Sequence, residues 1–239
     1  MSRTASPPWH RRLTARLPGW LFRRLLRFEA AIEDQVSRFA QSLPSGARVL
    51  DAGAGEGRYE RHFPHCRYVG LDLGVGDRQW DYSRLDVQGD LGRLPFPDAA
   101  FAAAINIVVL EHIREPQRAL REISRVLAPG APLLLVVPQE WGVHQEPHDY
   151  FRYTRYGLEW LLSNCGFQQW RIEPVGGFFT LLGRRLLDSA LYFQGGWRWM
   201  LFPLAAVLAG PAGLLSPSLD RFDRHKHSTL GYICLARKK

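Results

Sequence analysis

A chain of 239 residues, 46% hydrophobic and 23% charged, has the composition of a globular protein with room for one sizeable core, which excludes a disordered or fibrous chain. The net charge of +8 is unevenly placed. Arg3, Arg11, Arg12, Arg16, Arg23, Arg24 and Arg27 fall in the first 28 residues without an acid, and the remaining 24 basic residues face all 23 acidic ones. The basicity therefore belongs to an N-terminal arm and not to the whole surface. Three cysteines, Cys66, Cys165 and Cys234, odd in number and far apart, argue against a disulfide framework or a cysteine-held metal and suit a reducing cytoplasm.

The arm, residues 1–17 with Pro7 and Pro8, lacks the uninterrupted apolar core of a secretory signal. From 19 to 43, Leu21, Leu25, Phe28, Ile32, Val36, Phe39 and Leu43 recur at steps of three or four, which predicts one amphipathic helix ended by Pro44, Ser45 and Gly46. Arg23, Arg24 and Arg27 beside Trp20, Leu21 and Phe22 add the composition of an interfacial anchor to its role of packing on the neighbouring domain.

Residues 49–59, VLDAGAGEGRY, organise the rest of the chain. A short apolar run ends in Asp51, and Gly53, Gly55 and Gly57 stand at alternate positions. This predicts a buried strand, a tight loop and a helix to about residue 63, with the loop at the carboxyl end of a parallel strand, where open α/β sheets bind ligands. A second strand is expected at 68–73, ending in Asp72, 21 positions after Asp51. An acid there is placed to accept hydrogen bonds from both hydroxyls of a ribose. Further strands are expected near 83–87, at 102–110 (AAAINIVVL) and at 133–137 (LLLVV), with a helix over 116–127 between the last two. This alternation predicts a doubly wound α/β fold. After a polar, aromatic loop, Thr154 is the expected N-cap of a helix running to Asn164 and ended by Gly166. Strands at 167–174 and 230–236 would complete the sheet.

The loop is not a dinucleotide fingerprint, because the third glycine falls two residues after the second and Arg58 takes the dinucleotide position. With Asp51 ahead of it, D-x-G-x-G-x-G resembles the cofactor loop of class I S-adenosylmethionine-dependent methyltransferases. YVGLDL, GDLGRLPFPDAAF, NIVVLEHI and LREISRVLAPGAPLLLVVP extend the resemblance to the methyltransferase type 11 family over about residues 45–175 and the last strand. HDYFRYTRYGLEWLLSNCGF is similar to the segment after the fifth strand in many bacterial members. The resemblance implies a seven-stranded, mostly parallel Rossmann-like sheet with an antiparallel last strand, and S-adenosylmethionine as cofactor. It places Asp51, Ala52, Gly53 and Gly55 along the methionine portion, Asp72 and Leu73 at the ribose, Asp90 and Leu91 at the adenine, and Asn106 beside the cofactor. Asp86 competes with Asp90 in an alternative register. The usual Phe-Asp before the fourth strand is Phe101-Ala102 here, which bears on local packing more than on activity.

The implied chemistry is in-line methyl transfer, in which the protein aligns the acceptor. His112, His144 and His148 are the candidate bases, each with a structural role as its competitor, and Asp149, Arg152 and Tyr153 are expected to shape the acceptor side. No metal is expected, since His144, His148 and Asp149 lack helical i, i+4 spacing. His62, His65, His225 and His227 read as solvated surface. Residues 177–220 are too apolar for an ordinary loop and include 17 residues, 199–215, without charge. They read equally as a buried helical lid or as a monotopic membrane contact, and less well as a span, given Pro203, Gly210, Pro211 and Gly213. The expected organisation is an arm and helix over 1–44, a cofactor-binding core over 45–176, an insertion over 177–220 and the last strand within 221–239. The expected function is a cytoplasmic methyltransferase, at the inner face of the membrane if the insertion contacts lipid, acting on a small or lipid-linked acceptor such as a glycan precursor or quinone-like compound. Two alternatives stand beside it. One is a nucleic-acid methyltransferase using the basic arm, disfavoured by the near-neutral remainder and by NIVV in place of an NPPY-type motif. The other is a catalytically inactive cofactor-binding scaffold.

Overall fold

The computed structural model describes residues 19–76, 79–193 and 196–239; the basic arm and the side chains of Trp20 and Phe22 lie outside the described residues. Seven strands, β1 (Arg48–Ala52), β2 (Arg67–Asp72), β3 (Val87–Gln88), β4 (Ala103–Ile107), β5 (Pro132–Pro138), β6 (Phe167–Pro174) and β7 (Gly231–Lys238), form one sheet in the order β3-β2-β1-β4-β5-β7-β6. The pairs among β1 to β5 are parallel. The last strand is antiparallel: Lys238 bonds Gly130 and Ala131 at the start of β5, and Lys239 N–H reaches Gly166 O while Val175 N–H reaches Gly231 O. Every residue of β4 is buried, and all of β5 except Pro132, as expected of parallel strands covered on both faces.

Six α-helices are described: α1 (Gly19–Leu25), α2 (Arg27–Gln41), α3 (Pro116–Val126), α4 (Arg155–Asn164), α5 (Phe178–Leu191) and α6 (Phe202–Leu215). In α3, Pro116 opens the first turn and Ala119, Leu120, Ile123 and Val126 turn one buried face to the core. Thr154 caps α4, its side chain accepting from Gly157 N–H at 3.2 Å, and Gly166 closes the turn at φ +86°.

Four expectations are corrected. The single helix over 19–43 breaks at Leu26 into α1 and α2. No α-helix follows the glycine loop, only a 3-10 turn at Glu60–His62, because Gly57 adopts φ +69° and Pro64 leaves too few residues to propagate a helix. The third strand is two residues, Val87–Gln88, and not 83–87. The Asp86 carboxylate instead bonds Gly70 N–H at 2.8 Å. His62 is also not free surface, since its Nε2 lies 2.9 Å from Glu33, which binds Arg58 and Arg61 as well.

The chain divides into two compact units. Among the described residues, one comprises 32–173 and 232–239 and contains nearly the whole sheet; the other comprises 19–31 and 174–231. In this division α1 and the first turn of α2 group with residues 174–231. Within this second unit α5 and α6 cross at two glycines. A Cβ on Gly183 would lie 2.7 Å from Gly213 O, and one on Gly213 would lie 2.9 Å from Gly183 O. Asp220 caps α5 from a distance by accepting from Gly177 N–H at 2.8 Å, Thr180 N–H at 3.0 Å and the Thr180 hydroxyl at 2.5 Å. Arg24 of α1 donates to Leu214 O and to the Ser218 hydroxyl.

Candidate functional site

The parallel register brings the ends of four strands to one edge: Asp51 stands beside Gly70 and Ile105, and Asn106 beside Leu135. The glycine loop starts there. Gly53 and Ala54 N–H both donate to Leu71 O, at 2.8 and 3.0 Å, which fastens the loop to β2. Gly53, Gly55 and Gly57 adopt φ of +98°, +54° and +69°, values that side-chain-bearing residues avoid. Asp72 spreads its carboxylate over two backbone donors, Gly55 N–H at 3.0 Å and Gly74 N–H at 2.8 Å. Its position at the end of β2 follows from the strand, and its orientation from these two bonds.

Asp51 is buried and accepts the phenol of Tyr68. Burial pushes its carboxyl up to about 7; the Tyr68 bond opposes this, and the charge of Asp72 adds to it. Asn106 is buried at the end of β4, donating Nδ2 to Ala52 O at 2.6 Å, while its Oδ1 has no partner among the described residues. Leu73 is exposed and Leu91 buried. Asp90 is exposed and accepts from Gly92 N–H at 2.8 Å, whereas the competitor Asp86 spends an oxygen on β2. Trp80 was not anticipated. Its ring lies against the loop, 3.2 Å from where a Cβ on Gly55 would stand. An isolated aromatic in the polar run GDRQWDY gave no periodic signal.

A second group collects after β4 and β5. The 3-10 turn Leu110–His112 carries Glu111 and His112. His112 Nδ1 meets His148 O at 2.5 Å, and its Nε2 is buried with no hydrogen-bond partner among the described residues, 3.7 Å from Glu111 Oε1. Glu111 is fully buried, neither carboxyl oxygen has a hydrogen-bond partner among the described residues, and burial raises its pKa to about 8. Burial lowers the His112 pKa, so the ring is neutral at pH 7. The rings of His112 and His144 meet edge to face, with centroids 4.7 Å apart. His148 instead turns Nδ1 to the Tyr150 hydroxyl at 3.1 Å.

The three residues expected to shape the acceptor side act first as braces. Arg152 grips both oxygens of Asp149, at 2.6 and 2.8 Å, and donates to Trp141 O and Gly142 O. Burial alone would raise the Asp149 pKa, but Arg152 and the His144 N–H outweigh it and hold the carboxyl at about 2. Tyr153 is buried and donates to Leu110 O at 2.9 Å. Glu111 was missed because LEHI reads as apolar punctuation around a histidine, and only the fold shows its carboxylate enclosed.

The residues present suit S-adenosylmethionine. A paired acid at the end of β2 matches a diol, the buried Asp51 matches an ammonium, and the Asn106 Oδ1 is an enclosed acceptor awaiting a donor.

Comparison with known proteins agrees. Residues 22–173 match the family described as a methyltransferase domain. Aligned with a tRNA (carboxymethyluridine(34)-5-O)-methyltransferase of Arabidopsis thaliana, the chain is 35% identical over 117 residues, covering 47% of this chain and 28% of the relative. With a probable S-adenosylmethionine-dependent methyltransferase of Mycolicibacterium smegmatis it is 35% identical over 157 residues, covering 61% and 60%. With the demethylmenaquinone methyltransferase of Thermus thermophilus it is 27% identical over 207 residues, covering 80% and 94%. The chain thus spans less than two thirds of the first two relatives' length. Among solved structures, the [4+2]-cyclase SpnF superposes with a TM-score of 0.57 at 25% identity, over 87% of this chain and 80% of that one. The chain belongs to the methyltransferase-domain family. It is a class I S-adenosylmethionine-dependent methyltransferase by family, and S-adenosylmethionine is its cofactor.

Proposed function

We propose that this chain methylates an amphiphilic, lipid-linked small molecule at the cytoplasmic face of a membrane. The observation that carries the acceptor class is the exposed apolar surface of the second unit. Met200 is 83% exposed, Trp197 74%, Val207 68% and Leu208 67%, far more than a soluble surface gains from exposing. Phe202–Phe222 passes as a membrane span by length and hydropathy alone. A span would, however, strip Asp220 from the N-terminus of α5, where it serves three donors. A helix pair lying in the interface keeps that cap, and the basic sequence Arg3, Arg11, Arg12 and Arg16 suits anionic headgroups. The demethylmenaquinone methyltransferase of Thermus thermophilus, aligned over 80% of this chain, favours an amphiphilic acceptor.

The bound cofactor supplies an electrophilic methyl on a sulfonium, and the protein supplies alignment. Asp72 would hold the ribose hydroxyls, Asp90 and Leu91 the adenine edge, and Asp51, Gly53 and Gly55 the methionine end. Asn106 Oδ1 would accept from the cofactor. At the acceptor end, neutral His112 offers an unprotonated Nε2, able to take a proton or to hold a cation.

Incubation of the full chain with methyl-tritiated S-adenosylmethionine and a whole-cell extract tests the reading. Label is expected in the chloroform-soluble fraction. Label confined to RNA would favour the nucleic-acid reading, for which the Arabidopsis relative speaks, and label in no fraction would leave a binding scaffold. Co-sedimentation with anionic vesicles tests the membrane part: wild type is expected to pellet, and Trp197→Ser/Met200→Ser to stay largely in solution. Equal pelleting of the two would remove the membrane from the reading.

A further inference from the structure

We propose that Glu111, His112 and His144 form a binding site for one zinc-like divalent cation at the acceptor end. One donor atom from each lies within 4.8 Å of the other two. Across a tetrahedral site with bonds of about 2.0–2.1 Å, neighbouring donors stand roughly 3.3 Å apart. Glu111 Oε1 and His112 Nε2 already stand at 3.7 Å. Each group therefore needs a shift on the order of 1 Å to close on an ion.

The independent sign of a ligand is the enclosed, unpartnered set. Among the described residues, both oxygens of fully buried Glu111 and the Nε2 of His112 have no hydrogen-bond partner. A buried carboxyl and a buried ring nitrogen left side by side without partners are costly unless something satisfies them. At 3.7 Å they do not satisfy each other.

The surrounding bonds set the imidazoles for ligation. His112 Nδ1 faces His148 O at 2.5 Å, which puts the ring proton on Nδ1 and the lone pair on Nε2. His144 Nδ1 faces Gly142 O at 3.1 Å and Asp149 Oδ2 at 3.4 Å. Asp149 is in turn fixed by Arg152. A carboxylate or carbonyl behind each ring is the outer support that metal-binding histidines have. Two imidazoles and one carboxylate suit zinc better than magnesium or calcium, which take oxygen sets.

Three protein donors leave a coordination position for water or an acceptor oxygen. Resting on the methyl-transfer reading, the cation would lower the pKa of an acceptor hydroxyl and hold the oxygenate in line, with its proton passing to solvent. The acceptor atom is then an oxygen, and His112 serves the ion in place of the proton.

The test uses the full chain after chelator treatment, with Co2+ as the spectroscopic probe and Zn2+ as competitor, and S-adenosylmethionine binding measured in parallel by calorimetry. Wild type is expected to take up one Co2+ with a tetrahedral visible band that Zn2+ abolishes. Glu111→Gln and His144→Ala are expected to weaken Co2+ binding about 100-fold or more while binding S-adenosylmethionine as wild type does. His144 lies in a loop, so its variant tests the site even if Glu111→Gln fails to fold. No band in wild type, or one unchanged in His144→Ala, overturns the cation site. Loss of S-adenosylmethionine binding in wild type overturns the methyl-transfer reading and leaves the metal result to stand alone.

Discussion

Val109 closes against Gly53: a Cβ on Gly53 would fall 2.5 Å from Val109 Cγ1. The loop glycine is thus constrained twice, by this contact and by its φ of +98°. Gly53→Ala is expected to abolish measurable S-adenosylmethionine binding and lower Tm. Gly53→Ala/Val109→Ala removes the two methyl contacts, leaving a tight 3.0 Å approach to Cβ of residue 109 and the backbone strain of about 1 kcal/mol, so it should recover part of both. No recovery in calorimetry would mean that the contact is unimportant.

Asp72 and Asp86 separate binding from scaffolding. Asp72→Asn removes the charge from a group serving Gly55, Gly74 and the expected ribose hydroxyls, and charge-assisted bonds are worth about 1.5–3 kcal/mol. S-adenosylmethionine affinity should fall roughly 10- to 100-fold. Asp86→Asn touches only Gly70 and should leave affinity within about threefold, as titration calorimetry would show.

Asp51 predicts a pH signature. Its folded pKa of about 7 lies above the ordinary 3.8. Between those values the folded carboxyl keeps a proton that the unfolded chain has lost. Stability from this group therefore falls as pH rises from about 4 to 7 and is level above 7. Asp51→Asn, which keeps an acceptor for Tyr68, should gain Tm relative to wild type across that interval, by roughly 4 °C or more at pH 8. A difference independent of pH would refute the raised pKa.

Arg152→Lys keeps the charge beside Asp149 but loses the fork that also reaches Trp141 O and Gly142 O. A cost of about 2 kcal/mol, or roughly 4–8 °C in Tm, is expected. If this loop shapes the acceptor side as proposed, turnover should fall while S-adenosylmethionine affinity holds, because the Arg152 bonds run to Trp141, Gly142, Asp149 and Phe151 and to none of the proposed cofactor residues.

Asp220→Ala strands the donors of Gly177 and Thr180 at the start of α5. Hydrogen exchange over residues 178–191 should accelerate several-fold, with β1 to β5 unaffected.

The sheet was readable because buried parallel strands and their stop signals are local: β4, β5 and the Thr154 cap fell close to where pattern put them. The cofactor loop was readable because alternate glycines after Asp51 have few other uses. What escaped was set by distant partners. The expected helix after the loop yielded to Gly57 and to the arginines drawn to Glu33. The enclosure of Glu111 depends on a loop more than thirty residues on, and the place of Trp80 depends on a glycine 25 positions earlier. Arg152 and Tyr153 were found, but their first partners, Asp149 and the carbonyl of Leu110, make them braces.

Val175 and Gly231 pair at the base of the excursion, and just inside it Gly177 is bonded to Asp220. The chain leaves and returns through a single doorway that is latched from within. A longer, shorter or differently composed excursion could be grafted there without sliding β6 against β7, so the sheet and the excursion are free to diverge separately.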